Sequence, residues 1–128
     1  PESHRFINSS VVNSKEDFQA FVNVCNRCFV ESVESYGLSI GERNYFWGAF
    51  KNAYPNLQKS MNRIKVYRHN EFHLELNENV DAVYRSYLNQ DLEGRILSAV
   101  EDPWYTLQQA ILDSLWNSVQ VELSRYGQ

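Results

Sequence analysis

An arginine, an adjoining histidine and a second histidine stand close together in the run Tyr67-Arg68-His69-Asn70-Glu71-Phe72-His73. Arginine cannot lose its charge, and histidine titrates near neutrality. The first can hold a phosphate, and the second can move a proton. Together they suit cleavage of a nucleic-acid backbone. The rest of the chain shows no Gly-rich phosphate loop, no serine-nucleophile elbow and no His/Glu pairing of the zinc-protease type.

Spacing alone does not single out this run, because Arg63 and His69 satisfy the same arginine-to-histidine interval. Context separates the two. On a helical wheel Arg68 falls on the row of Leu57, Met61 and Ile64, whereas Arg63 falls on the polar side. A charge on an apolar row needs a partner or a purpose. One unbroken helix would hold Arg68 and His73 about 140° apart. A break after Arg68, or two chains meeting across an axis, would bring them together.

Charge points to the same segment. The net charge is −4, which argues against a general nucleic-acid coat. Residues 41–70, however, hold Arg43, Lys51, Lys59, Arg63, Lys65 and Arg68 against Glu42 alone, while the flanking segments are acidic. A local positive field attracts phosphates even on an acidic protein. Lys59, Arg63 and Lys65 are the candidate substrate-binding residues. Tyr36, Tyr45, Phe46, Trp47, Tyr54 and Tyr67 are interleaved with this basic stretch or lie beside it. Such mixtures stack unpaired bases, although most often they are core and rim. Glu71 and Glu75 flank the motif, where solvated surface is the simpler expectation.

The elements that must position these residues read as helices. Ser14-Lys15-Glu16-Asp17 resembles a capping box opening a first helix from Ser14 to Tyr36. Its inward stripe is Phe18, Phe21, Val22, Cys25, Cys28, Phe29 and Val33, and Gly37 is the expected stop. A second helix spans Glu42 to Ala53, ended by Pro55. A third runs from Asn56 to Arg68 or slightly beyond. A fourth begins near Asn77 and is carried by Val80, Val83, Tyr84, Tyr87 and Leu88. Gln90 to Glu101 reads as a linker broken at Gly94. A fifth helix opens with Asp102 as cap and Pro103 at its first position, and continues to Tyr126. Trp104, Leu107, Ile111, Leu115, Val119 and Leu123 form its stripe, widened by Leu112 and Trp116. A helix so apolar is expected to be central or to face a second subunit. No strand-like alternation or internal repeat stands out. The fold expected is all-α, a bundle of four to five helices.

The chain has 128 residues, 43% hydrophobic and 14% aromatic, which fits one globular domain with a modest core. Residues 1–13 are polar and lack helical period, and the first residue is Pro1. They read as an irregular lead-in from a longer protein, with residues 14–128 as the domain. No apolar run approaches the roughly 18 residues of a membrane span. There is no signal-peptide pattern. Cys25 and Cys28 form C-x-x-C, which can mean redox chemistry or half a zinc site. With no second pair and both on the apolar face, buried reduced thiols are expected, together with a cytoplasmic location. No metal site and no cofactor are expected.

Arg68-His69-Asn70-Glu71-Phe72-His73 resembles the signature of the HEPN superfamily (higher eukaryotes and prokaryotes nucleotide-binding). That signature is an arginine, usually followed by Asn, Asp or His, and then a histidine after four to six intervening residues. The resemblance covers the motif and the all-helical layout. It implies a metal-independent endoribonuclease that acts on RNA as a homodimer, with paired motifs lining a cleft between subunits. It implies that Arg68 binds the scissile phosphate and meets its developing charge. His73 would be general acid or base, and His69 would orient these groups. By analogy with the family, the module belongs beside further domains in a defence or toxin system. The family also has inactive members that bind nucleotides or partners. The alternative is therefore a non-enzymatic helical module for dimerisation or for nucleotide or partner binding.

Overall fold

The structure, a computed structural model, describes residues 14–72 and 78–127, with the side chains of residues 70–72 and 78–81 outside the description. Residues 1–13, His73 and the expected cap Asn77 lie outside the described residues. Most of those described are helical, with no strand among them.

The first rod is one continuous helical run in three parts. They are α1 (Lys15–Cys25), a π-helical segment (Asn26–Glu31) and α2 (Ser32–Ser39). Ser14 caps it as expected, accepting the Asp17 backbone N–H on Oγ at 3.1 Å. Glu16 and Asp17 add negative charge to the first turn, which complements the helix dipole. The π segment inserts extra backbone, and side chains span it. Asn26 Nδ2 donates to Glu31 Oε2 at 3.2 Å, and Ser32 Oγ donates to the Arg27 carbonyl at 3.2 Å.

The rod does not stop at Gly37. It continues to Ser39 and ends in a Schellman motif. Glu42 N–H donates to the Gly37 carbonyl at 2.8 Å and Gly41 N–H to the Leu38 carbonyl at 3.1 Å. Gly41 supplies the left-handed residue, with φ +80°. Gly37 serves a different need: a Cβ there would run into Tyr45, so its missing side chain admits the following turn.

The expected second helix is cut short. Residues 42–48 form turns, and α3 is confined to Ala49–Ala53. Phe46 and Phe50 hold this corner to the core, stacked at 6.0 Å with a 12° interplanar angle. Pro55 begins the next helix, α4 (Pro55–Phe72), where its missing N–H costs nothing. α5 (Glu78–Asp91) follows, and Gly94 breaks the chain with φ +81°. A 3₁₀ turn (Leu97–Ala99) leads to α6 (Pro103–Tyr126). Asp102 occupies the cap position of α6 but caps without its side chain. Its carbonyl instead accepts Thr106 N–H at 3.0 Å and Thr106 Oγ1 at 2.8 Å.

The central helix is α4 rather than α6. It packs on α1, the π segment, α3, α5 and α6. Phe18, Val22, Ile64, Tyr67, Leu92, Leu107 and Ile111 are fully buried around it. The inward row of α6 is Leu107, Gln108, Ile111, Leu115, Ser118 and Glu122. The expected stripe therefore holds through Leu115 and then turns polar. Ser118 meets Ser60 of α4, and the Glu122 carboxylate accepts the Asn56 and Leu57 N–H groups at 2.8 and 3.1 Å. A side chain of α6 thus caps the start of α4. Trp116, Val119 and Leu123 face outward and are exposed.

Candidate nucleic-acid interface

The motif stands at the C-terminal end of α4, where Arg68 and His69 are both half-buried. The two large side chains that lock the preceding turns are Ile64 and Tyr67, neither with exposed surface. Arg68 is thus carried on a fixed stretch of helix, at the margin of the core rather than inside it. Its Nε–H donates to Asn23 Oδ1 of α1 at 3.3 Å. Asn23 sits one turn before the π segment, so the anchor of Arg68 lies where the rod changes its winding.

The other basic residues named from the sequence point in different directions around α4. Lys65 Nζ donates to Glu34 Oε2 of α2 at 2.8 Å and lies 5.3 Å from the centre of the Phe46 ring. Lys59 is exposed and lines a groove between α4 and α6 with Asn56, Ser114 and Asn117. Arg68 and Lys65 face the first rod, whereas Lys59 faces the α6 side and Arg63 turns to α5.

Arg63 requires a correction. The wheel placed it on the polar side, but its side chain is only 13% exposed and forms an ion pair with Asp91, whose side chain is 3% exposed. Its guanidinium carbon lies 4.8 Å from the centre of the Tyr87 ring, and Nη2 reaches Gln90 Oε1 at 3.3 Å. Tyr67 donates its hydroxyl to the other oxygen of Asp91 at 2.5 Å. Burial is the main influence on both groups. It raises the Asp91 carboxyl above the usual carboxylate range despite Arg63 and Tyr67, and it raises the Tyr67 phenol, reinforced by Asp91. The Arg63–Asp91–Tyr67 network ties α4 to α5 from inside. Asp91 falls in the stretch that reads as a linker from the sequence, but it is the last residue of α5.

The cysteines behave as small hydrophobes. Cys25 is fully buried and Cys28 half-buried, both as thiols. Burial pushes the Cys25 thiol well above its ordinary value, so it holds its proton. Among the described residues no group of three His, Cys, Asp or Glu side chains is gathered as a metal site requires. No described helix is long and apolar enough to cross a membrane. The aromatic mixture divides: Phe46 and Tyr67 are core, while Tyr36, Trp47 and Tyr54 are exposed.

Among the described residues, the arrangement offers a guanidinium suited to an anion at Arg68, with an imidazole beside it on the same helix end. The bundle itself defines an all-α helical module. No protein-family profile, curated protein or solved structure matches this chain.

Proposed function

We propose that this chain is a helical endoribonuclease module of HEPN type that cleaves RNA through Arg68, His69 and His73. One observation carries the reading. Among the described residues, Arg68 meets a neutral amide, as Arg95 meets a backbone carbonyl, whereas Arg63, Lys65 and Arg125 each meet a carboxylate. Of the first two, Arg68 alone stands beside a histidine. A guanidinium held by an amide keeps its full charge and its terminal N–H fork for a phosphate. In the proposed reaction the 2′-hydroxyl attacks the adjacent phosphorus. Histidine takes the hydroxyl proton or gives one to the departing 5′-oxygen. Arg68 stabilises the charge that builds on the phosphoryl oxygens. The products are a 2′,3′-cyclic phosphate and a 5′-hydroxyl.

The proposed working unit is a homodimer. Along α6, Leu112, Trp116, Val119, Leu123 and Tyr126 recur at alternating intervals of four and three, the spacing of a helix that pairs with another. Trp116, Val119 and Leu123 are exposed, while Leu112 also packs on the core and Tyr126 on Tyr54. The same spacing favours the second reading, a non-enzymatic dimerisation or partner-binding module. Incubating the wild-type chain, Arg68→Ala and His73→Ala with single-stranded RNA separates the two. Cleavage lost in both variants supports the nuclease, and absence of cleavage in the wild type selects the binding module.

A further inference from the structure

The turns between α2 and α3 leave one aromatic ring outside the core in the midst of positive charge. Trp47 is 44% exposed, and Lys51 Nζ lies 5.3 Å from the centre of its ring. Beside it a cavity of about 330 Å³ opens between the end of α2, this turn and α4. Its lining includes Glu34, Arg43, Asn44, Tyr45, Trp47 and Lys65. Arg43 and Lys65 bring two cations to the cavity, and Lys51 brings a third to the indole. Glu34 offsets one of them by fixing Lys65, so the corner keeps a net positive charge.

We propose that this corner is a subsite for one unpaired nucleobase of a single-stranded RNA, with its phosphates beside Arg43 and Lys51. Lys51 lies over the indole and Phe46 meets it at a right angle at 5.6 Å. The exposed remainder of the ring offers a surface on which an unpaired base can stack beside cations. The Asn44 amide both donates and accepts, so it can meet the edge of any base. Stacking needs only a π-face, which makes the subsite tolerant of sequence. Lys65 and Arg68 are one turn apart on α4, so a strand seated here continues toward Arg68. By contrast, in the cavity between α5 and α6 the arginine, Arg63, is already taken by Asp91, and Glu93 and Asp113 add negative charge. The subsite rests on the RNA reading above and extends it to where the strand lies.

The test is binding of a 2′-O-methyl oligonucleotide, which cannot be cleaved, to the full chain by fluorescence anisotropy. Trp47→Ala is expected to weaken binding about tenfold, and Trp47→Phe to retain most of it. Arg43→Ala, at an exposed position, is expected to weaken binding and to steepen no further with Trp47→Ala once the strand is displaced. An abasic oligonucleotide is expected to bind the wild type and Trp47→Ala alike. Thermal melts of each variant confirm that the fold persists. Unchanged binding by both Trp47→Ala and Arg43→Ala overturns the subsite, as does equal affinity for abasic and intact strands or no oligonucleotide binding at all. Binding through Trp47 without cleavage of ordinary RNA removes the nuclease reading and leaves the subsite. Cleavage that persists with Trp47-independent binding does the reverse.

Discussion

Arg68 donates its Nε–H to Asn23 Oδ1 at 3.3 Å, so the charge placed at the end of α4 is held by a neutral side chain from α1. The contact engages Nε, and among the described residues no hydrogen bond to the terminal nitrogens is seen. If Arg68 clamps phosphate, Asn23→Ala is expected to slow RNA cleavage about tenfold. Asn23→Asp keeps an acceptor but adds a charge that competes with phosphate, so RNA affinity is expected to fall. Single-turnover rates and dissociation constants measure the two effects. Wild-type behaviour in Asn23→Asp would show that the contact only joins the helices.

Arg63 and Asp91 form a buried ion pair, which changes what truncating Arg63 should do. A polar-face arginine would cost little, whereas removing it here leaves the buried Asp91 carboxyl with the Tyr67 hydroxyl but no cation. Arg63→Ala is expected to destabilise the fold by about 3–5 kcal/mol. Urea denaturation reads this directly, and a loss near zero would contradict the buried pair.

Glu122 supplies the pH dependence. Burial raises its carboxyl, but hydrogen bonds from Leu57, Arg125 and Asn56 outweigh that and hold it below its ordinary value of 4.5. A depressed carboxyl stabilises the fold above its unfolded value, and that contribution is lost as pH falls through the folded value. Glu122→Gln is expected to lower stability at neutral pH by about 1–3 kcal/mol. The difference from wild type should shrink as pH falls below about 4.5. A pH-independent difference in thermal or urea unfolding would show that the carboxylate charge is not what caps α4.

The outer seam of α6 offers a direct handle on assembly. Trp116 is 66% exposed and Leu123 59%, so charge placed there should not disturb the interior. Leu123→Glu is expected to convert a dimer to a monomer while changing the melting temperature of the fold little. Light scattering at high micromolar concentration reads it. A wild-type monomer under those conditions would contradict the dimer.

The helical layout was legible because most helices carry long apolar stripes or clear punctuation. Ser14, Pro103 and Gly94 mark boundaries that the structure keeps. The misreadings have local causes. Gly37 looked like a stop because a glycine near a helix end usually is one, but close approach of Tyr45 is its purpose and Gly41 is the left-handed residue. Residues 42–48 have a helical pattern of aromatics, yet Phe46 is drawn to the core through turns. The wheel put Arg63 outside because it treats one helix alone. Asp91, on another helix, provides the reason for the arginine to turn inward. For the same reason the apolar arc of α6 leaves open whether its outer part meets the core or a second subunit. Periodicity shows an apolar row but not which neighbour covers it. At the site, the sequence names Arg68, His69 and His73 as candidates, and His73 lies outside the described residues. The sequence could not show Asn23 as the anchor, because nothing in the first rod marks an asparagine as facing α4.

Cleavage of a labelled single-stranded RNA in the presence of EDTA, by the wild type, Arg68→Ala and His73→Ala side by side, tests the nuclease reading most directly. The expected result is cleavage by the wild type to products ending in 2′,3′-cyclic phosphate. Both variants should lose about 10²–10⁴ in rate or more, with unchanged circular dichroism. Cleavage that requires magnesium, or that survives His73→Ala at the wild-type rate, would contradict it.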